Sequence, residues 1–410
     1  MTVKTLKFRV IDYLYKLNFR YHKIHLKLNS SIMSKINSAE SIRGLACLAV
    51  VFSHFSLTYF PELHNFDNLT GIGSSFTNWL YHSPFAFFYS GTSAVFIFFV
   101  LSGYVLSYAI LSKGSVNKKI LSMSLKRYPR LAIPVVISCI LYSVILANIN
   151  IDTSKVFWLK DYGRVNSIYE SVYQGLFESF LFGSSTINFV LWTMQVELLA
   201  SFVIFFLLYI LNNSKFYIFI FLSIACPLIM LLVSAKMFLG TMSFVIGMYI
   251  YLYGKNIPKI LLFPSLILGL YFAGAHNDSN SYRLFINIFG NKTYTLFNFM
   301  SGVLIVAGVL LNTHVSKLLD NKILIYLGKI SFSIYLLHTI FLYALSIPLF
   351  NILVSNGLNF NIAVIATFIT SVTVLIISAN YYSKFIDDFS IYVCNKLENF
   401  VFKKRNQLLN

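Results

Sequence analysis

Three ionisable side chains interrupt stretches of this chain that otherwise suit lipid. His54 lies in a run from Gly44 to Phe60 that contains no Lys, Arg, Asp or Glu, with Arg43 at its near end. Glu197 and His338 interrupt two later apolar runs. A charged side chain at membrane depth costs about 2.5–3.5 kcal/mol on insertion scales, so such residues mark functional positions unless a neighbouring helix satisfies them. Helix rise puts His54 about 16 Å above Arg43, Glu197 about 12 Å below the opposite edge of its span and His338 roughly 12–20 Å above the near edge. Three groups at matched depth point to a shared polar cavity in mid-bilayer. Imidazole titrates near neutrality and can take a proton from a hydroxyl, and a carboxylate beside it would hold its tautomer.

A second constellation is "RYPRLAIP", residues 127–134. Arg127 and Arg130 close a basic loop and open a span, and Pro129 and Pro134 restrict the backbone beside them. Two arginines one turn apart can grip phosphate groups, and Arg43 lies on the same side. The alternative is topology-setting charge, for which lysine serves as well. No G-x-S-x-G elbow and no Gly-rich phosphate loop occurs. Direct transfer to an acceptor hydroxyl is therefore simpler than a serine or cysteine intermediate. Cys47, Cys139, Cys226 and Cys394 show neither metal-ligand spacing nor a disulfide framework and read as small buried hydrophobes.

The elements that must carry these residues follow from composition. Of 410 residues, 57% are hydrophobic and 11% charged, with mean hydropathy +0.73. That excludes a water-soluble domain and predicts an all-α polytopic membrane protein. Ten helices are expected, near 44–60, 93–111, 131–149, 189–211, 216–234, 237–253, 260–275, 293–311, 325–350 and 362–383. Their length and lack of alternation exclude barrel strands. With the N-terminus cytoplasmic, ten spans put 26 of the 32 Lys+Arg inside, which is the positive-inside pattern and predicts cytoplasmic termini in the inner (cytoplasmic) membrane. The net charge of +18 is therefore read as facing the anionic leaflet, not nucleic acid.

Residues 1–36 read as a basic amphipathic helix or a topogenic tail, 37–390 as the transmembrane domain, and 391–410 as a basic tail. The expected outer loops 61–92 and 150–188 are rich in Asn, Ser, Tyr and Trp, which suits a neutral polar partner as well as plain solvation. Residues 169–182 suit a short interfacial or re-entrant helix.

These motifs resemble the integral-membrane acyltransferase family 3, which includes O-acetyltransferases of bacterial surface polysaccharides. "IRGLACLAVVFSH" resembles its first-helix Arg-to-His pattern, filled by Arg43 and His54. "GTSAVFIFFVLSGYVLSY" resembles its Phe-Phe-x-x-Ser-Gly signature, filled by Phe98, Phe99, Ser102 and Gly103. "RYPR" matches its Arg-x-x-Arg motif at Arg127 and Arg130. "LWTMQVE" resembles the Trp-to-Glu stretch at Trp192 and Glu197, and "ISFSIYLLH" the late pattern at Ser331, Tyr335 and His338. The family's usual Glu-x-Pro element is replaced by Asp387, Asp388 and Phe389, and the chain resembles stand-alone members that lack a soluble hydrolase-like domain.

The resemblance implies an acyl-CoA donor, first of all acetyl-CoA, and a hydroxyl acceptor on a carbohydrate, often lipid-linked. It implies no permanently bound cofactor. Arg43, Arg127 and Arg130 would hold the donor and His54 would act as general base with Glu197 its best orienting partner. His338 would assist donor placement or oxyanion stabilisation. The competing reading is a proton-coupled secondary transporter, which would use the same His and Glu residues.

Overall fold

In a computed structural model, residues 30–66, 75–112, 114–149, 151–157, 159 and 167–409 are described, with side chains from 37 to 402. The amphipathic segment expected over residues 1–36 lies almost wholly outside them. Every regular element is helical, and no strand occurs among the described residues. The elements that matter here are α1 (Ser30–Tyr59), α2 (Ser75–His82), α3 (Gly91–Leu111), α4 (Val116–Asn148), α5 (Thr193–Asn213), α6 (Phe216–Ile229), α7 (Ala235–Tyr253), α8 (Leu262–Ala273), α9 (Lys292–Leu310), α10 (Lys322–Lys329), α11 (Ser331–Phe341), α12 (Phe360–Tyr382) and α13 (Asp388–Leu409).

Eight helical stretches are long and apolar enough to cross a membrane, by length and composition. Two further apolar stretches, Phe216–Leu232 and Lys259–Ala273, are shorter. Backbone polar groups have no water partner in hydrocarbon, so a chain this apolar satisfies them within helices. Many large apolar side chains, among them Leu232, Phe221 and Ile369, point outward instead of into the bundle, as lipid-facing residues do.

Several boundaries differ from the sequence reading. The basic loop expected over 112–130 is mostly helix: α4 begins at Val116 and runs through Pro129 and Pro134 without a break. Arg127 and Arg130 thus sit on one helical face, not in a loop. The span expected to begin at 325 begins at Ser331, because α10 is a separate helix that ends at Lys329. The loop expected over 61–92 holds two 3-10 turns, Pro61–His64 and Pro84–Tyr89, with α2 between them. Residues 168–181 are helical, in line with the short helix expected over 169–182.

Two glycine contacts set the positions of the site helices. A Cβ on Gly103 would lie 2.0 Å from the Phe244 carbonyl oxygen, so α3 and α7 touch backbone to backbone. A Cβ on Gly328 would lie 2.0 Å from the Glu40 carbonyl oxygen, which brings α10 onto α1. Close approach through small residues is the ordinary means of packing helices where lipid gives no hydrophobic drive. The largest core then forms between α1, α3, α4 and α11, around fully buried Cys47, Val51, Val100, Val135 and Leu336.

Candidate active site

The two histidines expected at mid-depth meet. His54 Nδ1 on α1 lies 2.7 Å from His338 Nε2 on α11. The rings are 4° from coplanar, with centroids 4.9 Å apart. That separation fits two rings joined edge to edge in one plane, with the lone pair of one aimed at the N–H of the other. His338 Nδ1 lies 2.7 Å from the Tyr335 carbonyl oxygen. A carbonyl only accepts, so Nδ1 of His338 carries the proton and its Nε2, in the neutral ring, is the acceptor. His54 Nδ1 must then donate to it, and in neutral His54 the lone pair resides on Nε2. The chain of Tyr335 carbonyl, His338 and His54 therefore sets the tautomer of His54.

Glu197 does not take this role. Its Oε1 accepts from Arg127 Nη2 at 2.5 Å and from Ser102 Oγ at 2.9 Å. The reading of Glu197 as the partner that orients His54 is corrected on this point: similar heights expected from helix rise do not make two side chains face each other. The orienting hydrogen bond to His54 comes from the second histidine.

Glu197 belongs to a cavity of about 290 Å³ whose lining includes Arg43, Arg127, Arg130, Lys329, Glu197 and Asp387. Four cations against two carboxylates make it an anion-attracting space. The arginines do not form one joint fork. Arg127 pairs with Glu197, Arg43 Nη1 with Glu40 at 2.9 Å, and Arg130 Nη1 donates to the Asp387 carbonyl at 2.7 Å and Ser390 Oγ at 2.5 Å. Phe98, Phe99, Ser102, Ser331 and Tyr335 also line the space. Gly103 and Trp192 do not. Gly103 sets the α3–α7 contact, and Trp192 lies under Lys236, whose Nζ is 5.0 Å from the ring centre.

The expected single cavity is thus two adjoining sites. Tyr335 lines the basic cavity, and its ring centre lies 5.8 Å from that of His338. Its hydroxyl is held by Thr193 Oγ1 at 2.9 Å and donates to the Val190 carbonyl at 2.7 Å. Tyr335 and Thr193 form the wall between the cations and the histidine pair.

Four contributors escaped the sequence reading. Asn188 Nδ2 donates to the Leu336 carbonyl at 3.0 Å and its Oδ1 accepts from Thr339 Oγ1 at 3.1 Å, which clamps the turn that carries His338. The Phe189 ring stands edge-on to His54 at 5.3 Å. Lys329 reads in sequence as one more basic residue at a span end. Asp387 was visible only as a departure from a motif. In the fold it is buried, accepts from Ser333 at 3.1 Å, and sits where a π-turn, Ser383–Asp387, joins α12 to α13. π-turns recur at functional sites.

A family model described as an acyltransferase domain matches residues 36–379. The chain belongs to acyltransferase family 3. No curated protein and no solved structure matches it. An acyltransferase must bring an activated acyl group to a nucleophile that loses a proton. Here the paired imidazoles lie beside a cation-lined cavity, with Tyr335 lining that cavity and contacting His338.

Proposed function

We propose that the protein transfers an acyl group, acetyl by first expectation, from acyl-CoA to a hydroxyl of a carbohydrate, such as a lipid-linked surface polysaccharide. The donor enters at the basic end of the bundle, and the excess of Lys and Arg there supports a cytoplasmic face for it. Its phosphates meet Arg43, Arg127, Arg130 and Lys329. Two cavity-side atoms, Arg127 Nε and Asp387 Oδ1, have no partner among the described residues, and a polar donor would supply one. The acceptor comes from the opposite end. His54 Nε2 takes the hydroxyl proton as the oxygen attacks the thioester carbonyl. The C–S bond breaks, and the imidazolium returns its proton to the leaving thiolate. His338 keeps His54 in the reactive tautomer throughout.

The hydrogen bond between His54 and His338 carries this reading. The test is turnover of purified protein in nanodiscs, given labelled acetyl-CoA and acceptor glycan. His54→Ala should lower turnover by about 10²–10⁴-fold while the protein stays folded in the membrane. Near-full activity in that variant would remove the base, and a wild-type protein that never consumes acetyl-CoA would favour transport.

A further inference from the structure

At the end of the bundle opposite the cations, several short segments meet around His276, in the loop between α8 and α9. Tyr81, Tyr89 and Tyr294 stack on its ring, with centroids 5.4, 5.7 and 5.9 Å away and planes within 24° of parallel. His64 stands edge-on at 5.9 Å. The loop is held in place: Tyr81 donates to the Asn277 carbonyl, and a Cβ on Gly274 would lie 2.3 Å from the Pro84 carbonyl oxygen.

Six buried polar atoms on these segments meet no hydrogen-bond partner among the described residues. They are both carboxylate oxygens of Glu62, the Tyr89 hydroxyl, His276 Nε2, Asn277 Oδ1 and Ser279 Oγ. Tyr89 and His276 are only 5% and 7% exposed. Buried polar atoms are nearly always paired with protein, water or ligand, so this concentration is a place where a hydroxyl-rich ligand would find partners. The chemistry of the set is one-sided. Glu62 and Asn277 Oδ1 can only accept, and the hydroxyls can accept as well as donate. The ligand must therefore bring O–H or N–H donors. Glu62 and Asp278 repel anions, and the nearest Lys and Arg along these segments, Arg283 and Lys292, are exposed at the surface while the cluster is buried. Burial holds His276 down to about 3 and His64 down to about 4, so neither adds positive charge at neutral pH. Aromatic rings beside acceptor-rich polar groups are the chemistry that a neutral sugar ring uses. The cluster also connects to the base: His64 Nε2 lies 2.9 Å from Ser56 Oγ, which donates to the carbonyl of Ser53, the residue before His54.

We infer that the cluster of Glu62, Tyr89 and His276 is the acceptor subsite and takes a neutral, hydroxyl-rich sugar unit. This rests on the acyl-transfer reading above only for the word acceptor; binding can be measured without turnover. The test uses full-length protein in nanodiscs on an array of neutral, acidic and amine-bearing oligosaccharides. Wild type should retain neutral members. Tyr89→Phe and Glu62→Gln keep side-chain shape and should each weaken that binding by about tenfold or more. His54→Ala should retain it. In turnover assays, the two subsite variants should raise the acceptor KM and leave the donor KM unchanged. No retained glycan, a preference for acidic glycans, or unchanged binding in both variants would overturn the subsite. Glycan binding that the variants weaken, in a protein that never consumes acetyl-CoA, would uphold the subsite and sink the acyl-transfer reading instead.

Discussion

In the proposed reaction the His54 base needs its second nitrogen held, and the neutral His338 ring would fix its tautomer, as a carboxylate does in a Ser-His-Asp triad, without adding a charge. The arrangement makes distinct predictions for residues of similar depth. His338→Phe removes the acceptor for His54 Nδ1 and should lower kcat by about tenfold or more, yet less than His54→Ala does. Glu197→Gln removes the charge that holds Arg127 but leaves the histidine pair intact. It should move the donor KM and leave the acid limb of the kcat profile in place; a shifted limb would return Glu197 to the base. The types of these residues were legible in sequence, and helix rise alone gave the expectation that they lie at similar heights. Which pairs touch was not, since that depends on how each helix is rotated about its axis.

Rotation is decided between elements. Gly103 lets α7 reach α3, and Ser102 beside it then faces Glu197 on α5. Gly328 lets α10 reach α1, just before the turn into α11 that carries His338. Gly103→Ala forces a methyl onto a carbonyl oxygen that cannot move without its helix. Overpacking of this kind costs about 1–3 kcal/mol or more. The thermal midpoint in detergent should fall and activity with it, whereas Gly290→Ala, with open space around it, should be limited to the strain of its φ of +58°. A Gly103→Ala protein as stable and as active as wild type would show that the α3–α7 contact is not what matters at Gly103. The sequence pattern placed these glycines in apolar runs but could not say which neighbour each would meet. The α10 break at Ile330 was also hidden, because "LGKISFS" continues the same apolar period.

At the scale of the molecule, charge and stability give two further tests. The Lys and Arg distribution predicts that Lys322→Cys reacts from the cytoplasmic side and Asn356→Cys from the other. A membrane-impermeant maleimide on sealed right-side-out vesicles should label position 356 and spare 322; the reverse would invert the donor and acceptor routes. His64 is held neutral by burial, at about 4 against an ordinary 6.5. The unfolded chain therefore binds this proton more readily between those values. Stability should be complete above about pH 6.5 and decline as pH falls toward 4, by up to about 3 kcal/mol from this group. A thermal midpoint that stays flat over this range in wild type, or that falls as steeply in His64→Asn, would remove the contribution. The all-helical membrane class, the number of apolar runs, the charge asymmetry and the family all follow from composition and order along the chain, because each is a local or summed property. The exchange of Glu197 for His338 as partner of His54, the wall of Tyr335 and Thr193, and the cluster around His276 join residues tens to hundreds of positions apart. Only the packing of whole helices, set by small-residue contacts and their rotation, brings such residues within hydrogen-bonding distance.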